Sequence, residues 1–209
     1  TGFTNNISFN LGPQKSHDFE FGHKLKYKNF DIISSFYYMR LRAEISTTDN
    51  SFYNRNLAPT KRYGIENSIK YSFLENLNVE NDFTLTQAKF RGGERNGNDL
   101  PGIPAFVNSF QINYYPVKDI STYFNFYYQS SSRPMNDFAN YQIVQKGYNT
   151  LNIGFTGNYK GFKVSLALNN LQNKIYYNYA VGSGSGVYHS ASYYPLPGFN
   201  TLLKISKEF

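Results

Sequence analysis

The sequence predicts an all-β fold, an antiparallel up-and-down transmembrane β-barrel. Three observations lead to this prediction: apolar and polar residues alternate along most segments, short and long connections take turns, and aromatic residues are unusually frequent. Tyr and Phe make up 19% of the 209 residues, and Trp is absent. Aromatic residues favour strands. The mean hydropathy of -0.54 is compatible with a barrel, because one face of each strand lines a wet lumen.

Period-two alternation predicts nine strands. In the first of them, Phe19, Phe21 and Leu25 share one parity, whereas Asp18 and Glu20 occupy the other. Successive side chains of a strand point to opposite faces, so each such segment has one apolar and one polar face. The nine strands cover about residues 17–27, 30–46, 62–73, 77–87, 105–115, 120–129, 149–159, 162–170 and 199–209.

The second strand is the one with an ambiguous pattern. Phe36, Tyr37, Tyr38 and Met39 place large side chains on both parities. The polar residues Arg40, Arg42 and Glu44 share the even parity, so the odd parity is predicted to form the apolar face. That predicted face consists of Ile33, Tyr37, Met39, Leu41 and Ile45.

The connections distinguish a membrane barrel from a soluble β-sandwich. Short connections lie near residues 28–29, 74–76, 116–119 and 160–161, and long ones span 47–61, 88–104, 130–148 and 171–198. Strict alternation places all short turns at one end of the sheet and all long loops at the other, as in outer-membrane barrels. A sandwich would also alternate along its strands, but its connections would show no such order.

Tyrosines near the strand ends predict two interfacial aromatic belts. The belt near the short turns would contain Tyr27, Tyr71, Tyr114 and Tyr159, and the belt near the long loops Tyr63, Tyr128, Tyr148 and Tyr176. On the polar face, Lys70 lies across a tight turn from Glu80 and Asp82. These three either form an internal charge cluster or only solvate the wall, and solvation is the preferred interpretation.

Two stretches of the chain resemble TonB-dependent outer-membrane receptors. "LALNNLQNKIYY" (166–177), followed by "YYPLPGFN" and a last strand ending in Phe, is similar to the C-terminal end of that family. "NLGPQKSHDFEFG" resembles a further family segment through Asn10, Leu11, Pro13, Ser16, Glu20 and Gly22. At the C-terminal end the matching residues are Asn169, Asn170, Leu171, Lys174, Tyr176, Tyr194, Pro195, Pro197 and Gly198, whereas Gln172, Asn173 and Phe199 depart from the family pattern.

The resemblance implies that residues 1–209 form the C-terminal part of a 22-stranded receptor barrel, with the plug domain and the TonB-contacting segment outside this chain. It implies TonB-energised uptake of a scarce ligand, foremost a ferric siderophore or other iron chelate, then cobalamin, haem or a glycan. The expected location is the outer membrane of a Gram-negative-type bacterium, with long loops extracellular and the C-terminus periplasmic. The alternatives are a passive porin, a small structural barrel or a surface adhesin.

The resemblance also suggests a role for Phe209. A C-terminal aromatic strand is what the barrel-assembly machinery recognises in this family, so Phe209 is predicted to be an assembly signal. The apparent edge would then close by pairing with the first strand of the barrel.

Enzymatic, metal-binding and nucleic-acid functions find no support in the sequence. The chain has no Cys, and His17, His23 and His189 are scattered without ligand spacing. "RGGERNG" lacks the context of a phosphate loop and, like "GSGSG", is predicted to be a flexible loop. The net charge of +7 comes without a nucleic-acid-binding motif, so neither nucleic acid nor a cofactor is expected.

Most of the net positive charge lies in the long connections, and two interpretations remain open. The basic end could contact anionic lipopolysaccharide and the surrounding outer-membrane lipid, or it could capture an anionic ligand such as a ferric siderophore. The candidate ligand contacts are Arg55, Arg62, Arg91, Arg95, Arg133 and Tyr141.

Overall fold

The computed structural model describes residues 11–47, 54–183 and 190–207. In chain order its strands are β1 (Lys15–Tyr27), β2 (Phe30–Arg42), β3 (Ile45–Thr47), β4 (Asn54–Asn56), β5 (Thr60–Leu74), β6 (Leu77–Phe90), β7 (Phe106–Val117), β8 (Ile120–Gln129), β9 (Tyr148–Tyr159), β10 (Phe162–Asn169), β11 (Tyr177–Ser183), β12 (Ser190–Pro195) and β13 (Asn200–Lys207). The described residues include no helix long and apolar enough to cross a membrane.

Nine long strands form one antiparallel sheet in the order β1-β2-β5-β6-β7-β8-β9-β10-β13. Each long strand pairs with the next long strand along the chain, which confirms the predicted up-and-down order. The sheet is open in this chain, with β1 and β13 as its edges. The remaining strands form two small hairpins, β3–β4 and β11–β12.

The two ends of the sheet differ in their connections. The short-turn rim contains the connections at 28–29, 75–76, 118–119 and 160–161, and the long-loop rim contains those at 43–59, 91–105, 130–147 and 170–199. Lys160 and Gly161 have φ angles of 48° and 78°. Two successive positive φ angles match the twist of a two-residue hairpin, which explains the tight β9–β10 turn.

The strand register sorts the side chains into an apolar and a polar face, because directly paired residues share a face. On one face, Phe36 pairs with Ile65, Ile65 with Leu85 and Leu85 with Phe106. We call this the outward face. The opposite face, which we call the lumen face, carries polar pairs such as Ser68 with Asp82.

The predicted apolar face of the second strand is wrong. Phe36 and Tyr38 pair with Phe21 and Phe19 of β1, so the even parity of β2 faces outward. Ile33, Met39 and Leu41 therefore lie on the lumen face, as does Tyr37, which is directly paired with Gly64. The hydroxyl of Tyr37 forms a 2.8 Å hydrogen bond with that of Thr86. The Leu85 carbonyl oxygen and the Tyr37 side chain occupy the space that a Cβ at Gly64 would need.

The same strand is also shorter than predicted. β2 ends at Arg42 because Ala43 adopts a φ angle of 54°, which turns the chain away from the sheet. Ile45 begins β3 instead, and its strand pairs with β4 inside the connection that was predicted to be a plain loop. The last long connection likewise contains the β11–β12 hairpin.

Six of the eight predicted belt tyrosines lie on the outward face. Tyr27, Tyr71, Tyr114 and Tyr159 do so at the short-turn rim, and Tyr63 and Tyr128 at the long-loop rim. Tyr148 is different because it pairs with Gln129 on the lumen face, and its ring lies 4.6 Å from that of Tyr176. The prediction was therefore wrong for these two residues, which contact each other at the lumen side.

Candidate functional site

The lumen face divides into a charged and an uncharged sector. β1, β2, β5 and β6 form the charged sector, and β7, β8 and β9 the uncharged one, whereas β10 and β13 at the far edge carry Lys163 and Lys204 on the same face. The charged sector presents Asp18, Glu20, Lys24, Lys26, Asp31, Arg62, Glu66, Lys70, Glu80 and Asp82. The lumen face therefore presents ionic groups on one stretch of the wall and neutral polar groups on the next.

Ionic contacts in the charged sector leave several carboxylates exposed to the lumen. Lys70 Nζ lies 2.7 Å from Glu80 Oε1, so this ion pair of the possible cluster forms, and the preferred interpretation, that these residues only solvate the wall, is wrong for this pair. Glu20, Glu66 and Asp82 line a cavity of about 400 Å³, and none of the three forms an ion pair with a described residue. The Ser35 hydroxyl donates a 2.6 Å hydrogen bond to Glu20 Oε1.

Amide and hydroxyl groups cover the uncharged sector. Asn152 Nδ2 donates to Asn125 Oδ1 over 3.1 Å, and Asn125 Nδ2 donates to Ser109 Oγ over 3.1 Å. Above this ladder, the ring of Tyr148 lies between those of Tyr127 and Tyr176, at 5.9 Å and 4.6 Å. The sector therefore offers neutral hydrogen-bonding groups below an aromatic surface.

A small hydrophobic core joins the end of β6 to three connections at the long-loop rim. Phe90 ends β6 with 1% of its surface exposed, and the ring of Phe138 from the 130–147 connection lies 5.9 Å away at a steep angle. Leu57, Ala88 and Leu100 complete this core. This burial packs residues of three connections against the end of β6, so it holds these connections together.

Hydrogen bonds extend this core into a single layer that we call the cap. The Asp99 amide donates to Asn140 Oδ1 over 2.8 Å, and Asn140 Nδ2 returns a 3.0 Å bond to the Asp99 carbonyl. Met135 donates its amide to the Ala180 carbonyl of β11 over 2.7 Å. The 91–105 and 130–147 connections and the β11–β12 hairpin are thus linked to one another.

The stretch "RGGERNG" is part of this cap and has a defined turn, contrary to the flexible loop that was predicted. Gly93 and Gly97 adopt φ angles of 69° and 90°, which an L side chain rarely takes. The Gly97 amide donates to the Phe90 carbonyl over 3.0 Å, and the Asn98 amide to the Arg95 carbonyl over 3.0 Å. Residues 184–186 of "GSGSG" lie outside the described residues.

Three predicted ligand contacts have partners within the cap or its base. Arg133 Nη1 donates to the carbonyls of Asn140 and Gln142 over 3.2 and 3.3 Å and lies 3.8 Å from Asp137 Oδ2. Arg62 forms a 2.7 Å ion pair with Glu44, and the Arg95 guanidinium lies 5.4 Å from the centre of the Phe138 ring. These arginines already serve the architecture of the long-loop rim.

The other three predicted contacts lie apart from one another. Arg55 is exposed on β4, and Tyr141 is 67% exposed on the 130–147 connection. Arg91 follows β6 and lines an outer cavity with residues of β1 and β2. The structure therefore does not bring the six residues together at one point, and their role in ligand binding stays a prediction.

Asp137 is a residue of the cap that sequence reasoning missed. Its side chain is only 2% exposed, and Oδ1 accepts hydrogen bonds from the amides of Tyr141 and Gln142 over 2.8 and 3.2 Å. The carboxylate thus closes a tight turn whose carbonyls Arg133 holds from the other side. An Asp four residues after an Arg in a loop is the sequence signal for such a clamp, although it is a weak one.

The structure also explains the motif near the C-terminal end. Asn170 is 1% exposed, and its Nδ2 donates to the carbonyls of Lys174 and Pro197 over 2.8 and 3.2 Å. Asn173 Oδ1 accepts a 2.9 Å hydrogen bond from the Phe199 amide. The two halves of the motif are therefore joined in space, and they bring β13 back to the sheet.

No group of three or more His, Asp or Glu side chains among the described residues is arranged to hold a metal ion. His17 and His23 face outward on β1, whereas Asp18 and Glu20 of the same strand face the lumen. The two histidines are six residues apart along the strand. His189 and Phe209 lie outside the described residues. The wall and cap thus define a class of protein, an antiparallel barrel of the outer-membrane type with a structured layer at its long-loop rim.

Comparison with known proteins identifies the family. A family model described as "TonB dependent receptor-like, beta-barrel" matches residues 1–171, so the chain belongs to this family. No curated protein sequence matches significantly. Likeness in fold extends to 96% of the chain for the copper transporter OprC, with a TM-score of 0.80 and 19% identity.

Two further solved structures share the fold. The siderophore receptor PiuA from Acinetobacter baumannii matches 97% of this chain with a TM-score of 0.75 and 18% identity. The ferric yersiniabactin uptake receptor FyuA from Yersinia pestis matches 92% with a TM-score of 0.74 and 19% identity. The chain spans only 32%, 30% and 29% of the lengths of OprC, PiuA and FyuA.

Proposed function

We propose that the chain is part of the barrel of an outer-membrane receptor that imports a scarce ligand with energy supplied through TonB. The observation that carries this proposal is the cap, which ties two long connections and a hairpin together over a polar lumen wall. A passive pore works best with an open mouth, whereas a receptor needs a structured surface that selects its ligand.

The proposed ligand is a metal chelate, foremost a ferric siderophore. The names of three similar structures support this choice, because they refer to copper, a siderophore and ferric yersiniabactin. The basic side chains at the long-loop rim fit an anionic chelate. Arg55 and Tyr141 are predicted contacts with exposed side chains. Arg95 and Arg133 would act by holding the cap, and Arg62 by its ion pair with Glu44.

The unpaired carboxylates of the charged sector support a second partner inside the barrel. Glu20, Glu66 and Asp82 line one cavity on the lumen face. Charged groups facing a confined interior favour a partner of opposite sign. We propose that basic side chains of a plug domain contact this sector when the complete barrel forms, and that the uncharged sector remains open to the ligand.

The proposed orientation places the long-loop rim outside the cell and the short-turn rim in the periplasm. The barrel-assembly machinery, the surrounding outer-membrane lipid and the TonB complex are then the partners of the complete protein. Phe209 would serve recognition by the assembly machinery.

Uptake by cells that carry the full-length protein tests the function. Accumulation of iron-55 from a panel of ferric siderophores should stop when TonB is deleted or the proton gradient is collapsed. The double variant Arg55→Gln, Tyr141→Ala should reduce uptake, whereas Lys28→Gln at the opposite rim should not. Uptake that persists without TonB would instead establish a passive porin, and binding to host polymers without any uptake would establish an adhesin.

A further inference from the structure

The outward face at the long-loop rim carries a row of basic residues. The register pairs His17 with Arg40, Arg40 with Lys61 and Lys61 with Lys89, so four adjacent strands place basic residues side by side. Lys15 and Arg42 form a neighbouring pair two positions closer to the end of β2. We call these six residues the outer basic row.

This arrangement is unfavourable unless anions neutralise it. Directly opposed residues of an antiparallel pair have Cβ atoms about 4.5–5.5 Å apart, and like charges at that distance repel each other. Lys89 has a carboxylate partner in Asp99 at 2.7 Å. In the described ranges, Lys15, Arg40, Arg42 and Lys61 form no ion pair with a carboxylate.

A cavity of about 300 Å³ lies at one end of the row. It is lined by His17, Phe19, Arg40, Arg42 and Arg91. Arg91 Nε is buried and has no hydrogen-bond partner among the described residues. A buried donor without a partner is costly, and three guanidinium groups around one space present donors suited to the oxygens of a phosphate.

The residues next to the row indicate where the anion comes from. Arg40 donates from Nε to the Tyr38 hydroxyl over 2.7 Å, and Lys61 Nζ lies 5.8 Å from the centre of the Tyr63 ring. These tyrosines belong to the outward aromatic belt, and Phe19 below them is 69% exposed. A phosphate at this height is therefore held directly above an apolar surface that suits acyl chains.

We propose that the outer basic row and its cavity bind the phosphate groups of a glycolipid of the outer leaflet, such as lipid A. This inference rests on the membrane placement proposed above and not on the identity of the transported ligand. It also reassigns Arg91 from the transported ligand to the lipid. Among the described residues, the opposite rim has no equivalent row: Lys28 and Lys160 lie in separate turns, each over its own tyrosine ring.

Lipid binding to the purified full-length protein tests the proposal. The protein is reconstituted with diphosphoryl lipid A, and the bound lipid is counted by native mass spectrometry over a concentration series. The variants are Arg40→Gln/Arg42→Gln and, separately, Arg91→Gln. The matched control is Lys28→Gln/Lys160→Gln, which also removes two cations that lie over tyrosine rings.

The double variant should bind diphosphoryl lipid A at least about tenfold more weakly, because each charge-assisted hydrogen bond to phosphate contributes about that factor. Arg91→Gln should weaken binding in the same direction, and the control should bind like the wild type. Removal of the phosphates from lipid A should weaken its binding to the wild type at least as much as the double variant weakens the binding of diphosphoryl lipid A.

Equal binding by the wild type and both site variants would overturn the proposal, as would an equal loss in the control. Millimolar inorganic pyrophosphate should not displace the lipid, and efficient displacement would show a site for free phosphate instead. The heat-dependent migration of each variant on a gel shows whether it forms a folded barrel. If the double variant does not form a barrel, Arg91→Gln tests the proposal in its place. Ferric siderophore uptake should stay normal in the Arg40→Gln/Arg42→Gln variant, because neither residue is a predicted ligand contact. A failure of the lipid-binding test would therefore not affect the proposed transport function.

Discussion

The hydrophobic core of the cap predicts that its stability can be changed without changing that of the barrel. The informative substitution is Phe138→Ala, in the 130–147 connection. Phe138 is 6% exposed, and the centre of its ring lies 5.9 Å from that of Phe90. The Arg95 guanidinium lies over the same ring, 5.4 Å from its centre. None of these contacts belongs to the strand pairing that builds the wall.

The size of the effect follows from the burial. Truncation of a buried Phe to Ala costs about 3–5 kcal/mol, and the steep ring contact accounts for about 0.5–1.5 kcal/mol of it. A surface layer relaxes more readily than a deep core, so we expect a value near the lower limit. A loss of about 3 kcal/mol raises the open population of the cap about 100-fold.

Hydrogen exchange of the full-length protein in detergent measures this opening. The amides of Tyr141 and Gln142, which donate to buried Asp137, should exchange about 100-fold faster in the variant. Amides in the β5–β6 ladder should keep their rates. Ile143→Ala is the matched control, because Ile143 lies in the same connection and is 69% exposed.

One result would refute this reasoning. If Phe138→Ala lowered the melting temperature of the whole barrel while Tyr141 and Gln142 kept their protection, the cap would not be a separate unit. Equal effects of Phe138→Ala and Ile143→Ala would show that burial in the cap core does not determine its stability.

Three further predictions test the motif, the faces and the terminus. Asn170→Ala removes two hydrogen bonds that the buried side chain donates, at a residue with a φ angle of 50°. The substitution should destabilise the 170–199 connection by about 1–3 kcal/mol. Limited proteolysis should then show faster cleavage in this connection, and unchanged cleavage would contradict the assignment. A spin label at Val79 should be relaxed by oxygen dissolved in lipid and one at Glu80 by an aqueous nickel complex, and the reverse pattern would contradict the assignment of the faces. Deletion of Phe209 in the full-length protein should lower its surface level sharply while the inserted fraction keeps its heat resistance; normal insertion with early melting would show a packing role instead.

The strand pattern was readable from the sequence because it is local. Alternation between neighbours sets the two faces of a strand, and Gly, Asn or Asp marks the short turns. All nine long strands were therefore predicted to within about three residues, except for the end of the second. The order of short and long connections then implied an up-and-down sheet, because antiparallel neighbours must be joined at alternate ends. The family resemblance rested on Asn170 and Pro197, which the fold brings into contact.

Other features depended on tertiary contacts. The faces of β2 could not be read from Phe36 to Met39, because both parities are aromatic or apolar; only pairing with β1 and β5 orients them. Gly64 then makes room for Tyr37 on the lumen face. Arginines in loops look alike in a sequence, so nothing local separated Arg133, which holds the cap, from Arg91, which lines the outer cavity.

The sequence by itself thus determined the strands, their alternation and the two unequal rims, since each of these follows from neighbours along the chain. Only the tertiary structure decided the cap, the division of the lumen face and the outer basic row. These three depend on residues such as Arg40, Lys61 and Lys89, which are far apart in sequence and become neighbours through strand register. Register is set by the pairing of whole strands, and a shift of one residue would move every side chain to the other face.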